Sequence, residues 1–169
     1  MSLKEKIQND LTQAVKEKDG LKPSTLRMVI AAISNKETEK RTKIWKEKPE
    51  SPIEELEKGS QLTDEEIIQV LQSEIKKRKE SILEFEKGKR DDLVKKEKAE
   101  MEILQKYLPE QLSEEEIKKL VQEAIGKVGA KEMKDMGKVM AELMLQVKGK
   151  ADGSTVSKMV KELLSPKEK

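Results

Sequence analysis

The chain has 169 residues, of which 41% are charged and 34% hydrophobic, and its formal net charge is +2. It contains no cysteine and no histidine, which excludes disulfides, thiolate nucleophiles, imidazole bases and zinc sites of the Cys/His type. With one Trp, one Tyr and one Phe, the core must be built from aliphatic side chains, which favours thin helical layers over a β-sandwich.

The N-terminal residues are charged and lack the apolar segment of a signal peptide. The chain has no run of 18 apolar residues, which is about the length needed to span a membrane, so we expect a cytoplasmic protein with no membrane contact. A capping box of Ser2 and Glu5 predicts the start of the first helix, which ends near Gly20. Pro23 then fits the first turn of a second helix.

Residues 47–62 combine charged side chains with two prolines and a glycine, which disfavour a regular element. We predict a loop here and interpret it as an insertion. A capping box of Thr63 and Glu66 then begins a third helix, whose apolar positions alternate in steps of three and four. Gly88 ends this helix, and a fourth continues to the stop at Pro109.

Three shorter helices are predicted in the remainder of the chain. Ser113 and Glu116 form another capping box, and Gly126 is predicted as the C-cap of the helix that follows. A second apolar-periodic segment covers residues 136–147, and the last helix begins near Ser154.

The predicted fold is all-α and multihelical, with a four-helix N-terminal domain in residues 1–108 and a three-helix tail domain in residues 109–169. No alternating strand pattern and no internal repeat interrupts this organisation. Positive charge is concentrated in the tail, because residues 126–169 hold ten lysines against six acidic residues. This imbalance indicates local contact with a polyanion.

The turn between the last two predicted helices is the candidate ligand site. Lys148 and Lys150 flank Gly149, and a helix then begins at Gly153 and Ser154, where free N–H groups and the helix dipole favour anions. The glycine spacing does not match a P-loop, so no ATP site is expected. A C-cap glycine followed by a turn between solvated lysines explains the same residues without a ligand.

Several motifs of the chain resemble those of the GatB/YqeY family. They are Met136-Gly-Lys-Val-Met, Lys148-Gly-Lys-Ala-Asp, Tyr107-Leu-Pro-Glu-Gln-Leu and Leu62-Thr-Asp-Glu-Glu. The whole chain resembles a free-standing YqeY-type protein, and its end resembles the tail domain of the B subunit of the tRNA-dependent amidotransferase. The resemblance implies backbone contacts with tRNA through the residues of the turn and two neighbouring lysines: Lys148, Gly149, Lys150, Gly153, Ser154, Lys138 and Lys158.

Three functions fit these observations. The first, which we prefer, is a non-catalytic tRNA-binding accessory protein. The second is an amidase-like or glutamine-dependent carbon–nitrogen ligase activity, which the family association suggests. The third is a protein–protein adaptor that binds its partner through the N-terminal helices. No nucleophile–base pair and no ammonia channel can be identified, so we predict no catalytic residue, no metal and no cofactor.

Arg78 stands out because it falls on the apolar stripe of the third predicted helix, where an unpaired cation is costly. We expect a structural ion pair with a glutamate of a neighbouring helix. Loss of that glutamate should then be tolerated less well than Arg78→Met. The alternative is a phosphate- or carboxylate-binding cleft to which Arg27 of the second helix contributes.

Gly137 lies inside an otherwise good helical pattern, where glycine costs about 1 kcal/mol relative to alanine. We expect another helix to pack closely against it. A ligand backbone, or simple tolerance near the first turn, would explain the same glycine.

Overall fold

In the computed structural model, which describes residues 1–165, the chain is all-α, as predicted. Its helices are α1 (Leu3–Lys16), α2 (Lys22–Glu47), α3 (Ile53–Ser60), α4 (Asp64–Lys87), α5 (Asp91–Gln105), α6 (Glu114–Val128), α7 (Met136–Val147) and α8 (Gly153–Leu164), with a short 3-10 helix at Met133–Asp135. None of the described helices is both long enough and apolar enough to cross a membrane. The chain divides into two compact units, an N-terminal unit of Met1–Tyr107 and a tail unit that begins at Leu108.

The N-terminal unit is built around an aliphatic core shared by four of its helices. The largest side chains that are fully buried there are Ile7, Leu26, Val29, Ile33, Ile67, Leu71 and Leu104. The predicted capping boxes at Ser2 and Thr63 are both formed, so the starts of α1 and α4 are fixed by local hydrogen bonds. Helices α4 and α5 pack on each other as a hairpin joined by the short turn after Gly88.

A hydrogen bond between side chains joins the residues that follow α5 to α1. The Tyr107 hydroxyl donates to Asp10 Oδ2 at 2.6 Å, and the Lys6 ammonium lies 5.8 Å from the centre of the Tyr107 ring. Burial, followed by the hydrogen bond to Asp10, raises the pKa of Tyr107 well above its ordinary value. The last residue of the N-terminal unit is therefore held in place.

The prediction of a loop across residues 47–62 is wrong, because residues 53–60 form α3. Glu54 and Glu55 occupy its first turn, where carboxylates complement the helix dipole, and Leu56 is buried. A Cβ added at Gly59 would lie 3.3 Å from the side chain of Ile44, so this glycine allows α3 to pack closely on α2. The N-terminal unit therefore contains five helices instead of the predicted four.

The tail unit is a three-helix arrangement of α6, α7 and α8 around its own core. The core includes Val121, Val139, Leu143, Val147, Val156 and Val160, all at most 1% exposed. The capping box of Ser113 and Glu116 is present as predicted. The predicted C-cap at Gly126 is wrong, because α6 continues to Val128 and Gly129 ends it in the left-handed conformation, with φ of 65°.

Candidate functional site

The turn between α7 and α8 reverses the chain within a few residues. The N–H groups of Lys150 and Ala151 both donate to the carbonyl of Val147, at 2.9 and 3.0 Å. Gly149 is buried and has φ of 77°, a conformation that side-chain-bearing residues rarely adopt. Lys148 and Lys150, on either side of it, are exposed to solvent. The glycine thus sets the turn, and the turn directs two lysines outward.

The turn is held from outside by the segment that precedes α6. The Leu112 N–H donates to the Lys150 carbonyl at 2.8 Å. The Gln111 side-chain amide donates to the Gly149 carbonyl at 2.9 Å and to the Pro109 carbonyl at 2.7 Å. The two bonds to the turn join motifs that are 38 residues apart in the sequence. Sequence reasoning missed Gln111, because nothing local marks it as a partner of the turn.

The start of α8 carries a carboxylate of its own. Asp152 is the N-cap: its Oδ2 accepts from the Thr155 N–H at 3.3 Å and from the Thr155 hydroxyl at 3.2 Å, and the Ser154 hydroxyl also donates to it. Burial alone would raise the pKa of Asp152, but the hydrogen bonds from Ser154 and Thr155 outweigh burial and hold the pKa below its ordinary value.

This cap changes the interpretation of the helix start. An anion that approaches Gly153 and Ser154 meets an ionised carboxylate already bonded to the donors there. The structure therefore gives no support to a phosphate contact at the start of α8, and sequence reasoning overlooked Asp152 as the capping residue. An anion at this turn would have to bind through the lysine side chains instead.

The two neighbouring lysines lie at different distances from the turn. Lys158 is on α8, five residues after Gly153, which corresponds to about 7.5 Å of helix rise. Lys138 is in the first turn of α7, ten residues before Lys148, and is therefore about 15 Å away along that helix. Both are exposed. The Nζ atom of Lys138 lies 3.7 Å from Asp135 Oδ1, and that of Lys158 lies 4.0 Å from Glu162 Oε1. The predicted set is thus a close group at the turn plus one lysine at the far end of α7.

Arg78 is buried in the N-terminal unit, with 4% of its side chain exposed. Its Nη2 and Nε lie 3.0 and 3.2 Å from one oxygen of Glu100 on α5, which is the interhelical ion pair expected from the sequence. A second carboxylate, that of Glu74 one turn earlier on α4, lies 3.2 Å from Nη1 and also binds Lys77 at 2.7 Å. The cluster therefore contains two cations and two carboxylates.

The alternative of an anion-binding cleft formed with Arg27 is not supported. Arg27 is exposed on α2. A groove of about 640 Å³ does lie along α2 and α4, but neither arginine lines it. Three of its lysines are paired with glutamates at 2.7–2.9 Å: Lys36 with Glu39, Lys40 with Glu66 and Lys77 with Glu74.

Close packing at Gly137 is also a wrong prediction. Gly137 is exposed in the first turn of α7, and a Cβ placed there would meet no atom of another described element within 4 Å. No group of three or more acidic side chains in the described part of the chain is arranged to hold a metal ion.

Comparison with known proteins identifies the family. The YqeY family, described as Yqey-like protein, matches residues 4–164. A relative from Pyrenophora tritici-repentis, named Altered inheritance of mitochondria protein 41, mitochondrial, is 34% identical over 166 residues, which cover 96% of this chain and 81% of the relative. The protein of that name from Saccharomyces cerevisiae strain YJM789 is 31% identical over 144 residues, which cover 81% of this chain and 68% of the relative.

These matches correct one prediction and confirm another. The predicted cytoplasmic location is contradicted, because both relatives are named as mitochondrial proteins. The resemblance to the GatB/YqeY family, carried by motifs from Leu62 to the tail, is confirmed by a match over nearly the whole length. The chain belongs to the YqeY-like family.

Proposed function

We propose that this protein binds tRNA without catalysing a reaction, and that the exposed lysines of the tail unit make the contact. One observation carries the proposal. The turn that bears Lys148 and Lys150 is fixed by hydrogen bonds from Gln111 and Leu112, at 2.9 and 2.8 Å, while both lysine residues are exposed. Two cations on a fixed backbone lose less conformational freedom on binding than cations on a mobile loop.

The contact should be to phosphates and not to bases. Proteins that bind single-stranded RNA stack bases on aromatic side chains, and this chain has one Trp, one Tyr and one Phe. Of these, Trp45 and Tyr107 belong to the N-terminal unit, and the chain has no aromatic residue after Tyr107. Phosphate contacts position a protein on RNA but carry no sequence information. Binding through the tail should therefore be similar for different tRNAs.

The choice of tRNA as the ligand comes from the family resemblance, and the charge of the tail is compatible with it. The amidotransferase tail that this chain resembles is expected to contact tRNA. Lys158 lies near the turn and Lys138 at the other end of α7, so a phosphate backbone running along α7 would meet cations at both ends of that helix. The two ends are about 15 Å apart, which is far enough for separate phosphates.

The test is filter binding of bulk tRNA at two salt concentrations, with a Lys148→Ala/Lys150→Ala variant. Removing one lysine–phosphate pair lowers the slope of log K against log salt by somewhat less than one unit, so the slope should fall by roughly 1–2 units. The matched control is Lys118→Ala/Lys119→Ala, which removes the same charge from exposed positions on α6.

Both double variants should keep the parent's thermal midpoint, because exposed surface substitutions usually change stability by no more than about 0.5 kcal/mol. If the turn variant binds tRNA as tightly as the parent at low salt, the turn is only a connection between helices. A decrease in affinity equal to that of the α6 control would show that net charge alone matters.

A further inference from the structure

Helix α2 has one side that is exposed along nearly its whole length and carries no carboxylate. Positions that recur at spacings of three, four and seven residues lie on the same side of a helix, and on this side every one of them between Ser24 and Lys46 is exposed. We call this side the open face of α2: Ser24, Arg27, Met28, Ala31, Ser34, Asn35, Thr38, Arg41, Thr42, Trp45 and Lys46. From its first to its last residue the helix rises by about 33 Å.

The composition of the open face differs from that of the chain. Aspartate and glutamate make up 34 of the 169 residues, yet the glutamates of α2, at positions 37, 39 and 47, all lie on its other sides. Glu39, which is nearest to the open face around the helix, is bound to Lys36 at 2.9 Å. The face itself carries three cations, two of them arginines. Cations without carboxylates between them attract a polyanion.

Short uncharged side chains occupy the middle of the open face. The hydroxyls of Thr38 and Thr42 donate to the backbone carbonyls of Ser34 and Thr38, each at 2.9 Å, so both side chains lie close to the helix. A bulky anionic chain can therefore approach this part of α2 without meeting a like charge. Arginine, serine, threonine and asparagine are also the side chains that commonly contact phosphate and sugar oxygens.

Trp45, the single tryptophan of the chain, stands at the C-terminal end of the open face and is 52% exposed. Helix α3 packs on another side of α2, where a Cβ at Gly59 would lie 3.3 Å from Ile44. Trp45 is turned by about 100° around the helix from Ile44, so α3 leaves its ring accessible. Aromatic rings next to cations are the platforms on which proteins stack the unpaired bases of single strands.

We propose that the open face of α2 binds single-stranded RNA, with the RNA backbone along the helix and one unpaired base stacked on Trp45. The proposal rests on RNA as the ligand of this protein, and it adds the contact to a base for which the tail has no aromatic residue. A membrane surface fits less well. The residues one turn before Trp45 on the open face, Arg41 and Thr42, are polar, so no apolar row is available for insertion.

The first experiment follows the fluorescence of Trp45 in the full chain while oligouridylate, whose bases are unpaired, is added. Stacking of a base on the indole ring should quench the emission. Polyphosphate is the matched control, because it carries phosphate charge without bases, and it should leave the emission unchanged. Equal quenching by the two probes, or no quenching by oligouridylate, would overturn the proposal.

Substitutions of Trp45 separate stacking from a general apolar contact. Trp45→Leu keeps an apolar side chain but removes the aromatic ring, so the affinity for oligouridylate in filter binding should fall at least about fivefold, the lower end of what one stacked base contributes. Trp45→Phe keeps an aromatic ring and should retain most of the affinity. A Trp45→Leu variant that binds as tightly as the parent would contradict stacking.

A carboxylate placed on the open face should repel the RNA. Thr42→Glu puts one four residues before Lys46, a spacing that favours the helix and neutralises that lysine. The slope of log K against log salt for oligouridylate should then fall by roughly 0.7 units, the value for one lost contact to a single strand. The control is Thr12→Glu on α1, where the threonine is also exposed and its hydroxyl also donates to the carbonyl four residues earlier, at 3.0 Å. Equal effects of the two substitutions would show that only net charge matters and would overturn the proposal.

Bulk tRNA distinguishes a failure of this inference from a failure of the proposed function. If the parent binds bulk tRNA but oligouridylate leaves the emission of Trp45 unchanged, the open face is not an RNA site and the tail contact stands. If neither RNA binds, both proposals fail. A blue shift of the emission with vesicles of phosphatidylserine and phosphatidylcholine, without a response to oligouridylate, would assign the open face to a membrane and also overturn the inference.

Discussion

Replacing Arg78 should destabilise the N-terminal unit more than replacing its partner Glu100. Arg78 binds Glu100 and Glu74, and all three residues are buried. In Arg78→Met, Glu74 still has Lys77 at 2.7 Å, but Glu100 keeps no cation among residues 1–165, and only 8% of its side chain is exposed. Breaking a buried pair in this way costs about 3–5 kcal/mol, because an uncompensated charge remains.

Glu100→Gln should cost less. Glutamine keeps the shape and an oxygen that can accept from Arg78, and Arg78 keeps both the carboxylate and the carbonyl of Glu74, at 3.2 and 3.1 Å. The cost is that of a charge-assisted hydrogen bond, about 1.5–3 kcal/mol. The second carboxylate changes the expectation from the sequence, which assumed a single acidic partner, because the cation of Arg78 still has Glu74 when Glu100 is neutralised.

The double variant Arg78→Met/Glu100→Met completes a double-mutant cycle for this ion pair. It removes both charges, and buried pairs replaced by apolar residues of similar volume are often nearly neutral. We therefore expect it to be more stable than Arg78→Met by at least about 2 kcal/mol, which is a coupling typical of residues in direct contact.

The assay is urea unfolding of the full chain followed by fluorescence of Trp45, the single tryptophan, which lies on α2 in the N-terminal unit. This signal reports the unit that contains the cluster. Two results would contradict the uncompensated charge that we expect on Glu100 in Arg78→Met. One is equal urea midpoints for Arg78→Met and Glu100→Gln, and the other is a double variant that is less stable than Arg78→Met.

Four further predictions concern the tail, the turn after α2 and the proposed absence of catalysis. Gln111→Ala leaves the carbonyl of the buried Gly149 without its 2.9 Å donor, so the tail should be destabilised by about 1–3 kcal/mol. An unchanged thermal midpoint would show that the hydrogen bond from Gln111 does not stabilise the turn. Asp152→Ala should cost about 1 kcal/mol at pH 7, whereas Asp152→Ser should keep most of the cap. Because the folded-state pKa of Asp152 is lowered, its contribution is present above the unfolded-state pKa and is lost as the pH falls through the folded-state pKa, so the thermal midpoints of the parent and Asp152→Ala should converge as the pH is lowered. Limited digestion with a glutamate-specific protease should cut first at Glu50, which is exposed in the turn between α2 and α3, and a first cut inside α6 or α7 would contradict this order. The purified protein should release no ammonia from glutamine, and turnover abolished by one point substitution would refute this.

The sequence predicted those parts of the fold that depend on neighbouring residues. Ser113 with Glu116 is an example, since a capping box needs only residues three apart and predicts a helix start wherever it occurs. The row of apolar residues in α7 was identified for the same reason. Asp152 also carried a readable local signal as an N-cap, but we assigned the start of α8 to an anion instead.

The features that could not be predicted depend on residues far apart in the chain. Helix α3 looked like a loop because Gly59 and the nearby prolines usually break helices, and only the side chain of Ile44 on α2 shows that the glycine allows packing. Gly126 and Gly129 are equally good C-caps from the sequence, and the structure continues α6 to the second of them. The bond from Gln111 to Gly149 spans 38 residues, beyond any periodicity argument.

The hydrogen bond from Gln111 to Gly149 has a consequence for how the tail could be transferred from one protein to another. Residues 109–112 precede the first helix of the tail and look like a spacer, yet they supply the hydrogen bonds that hold its last turn. A recombination event or a fusion that joined a foreign sequence directly to α6 would preserve all three helices but remove those bonds. The smallest segment that can pass intact between proteins therefore starts before α6, and a tetrapeptide without secondary structure is as much a part of it as the helices.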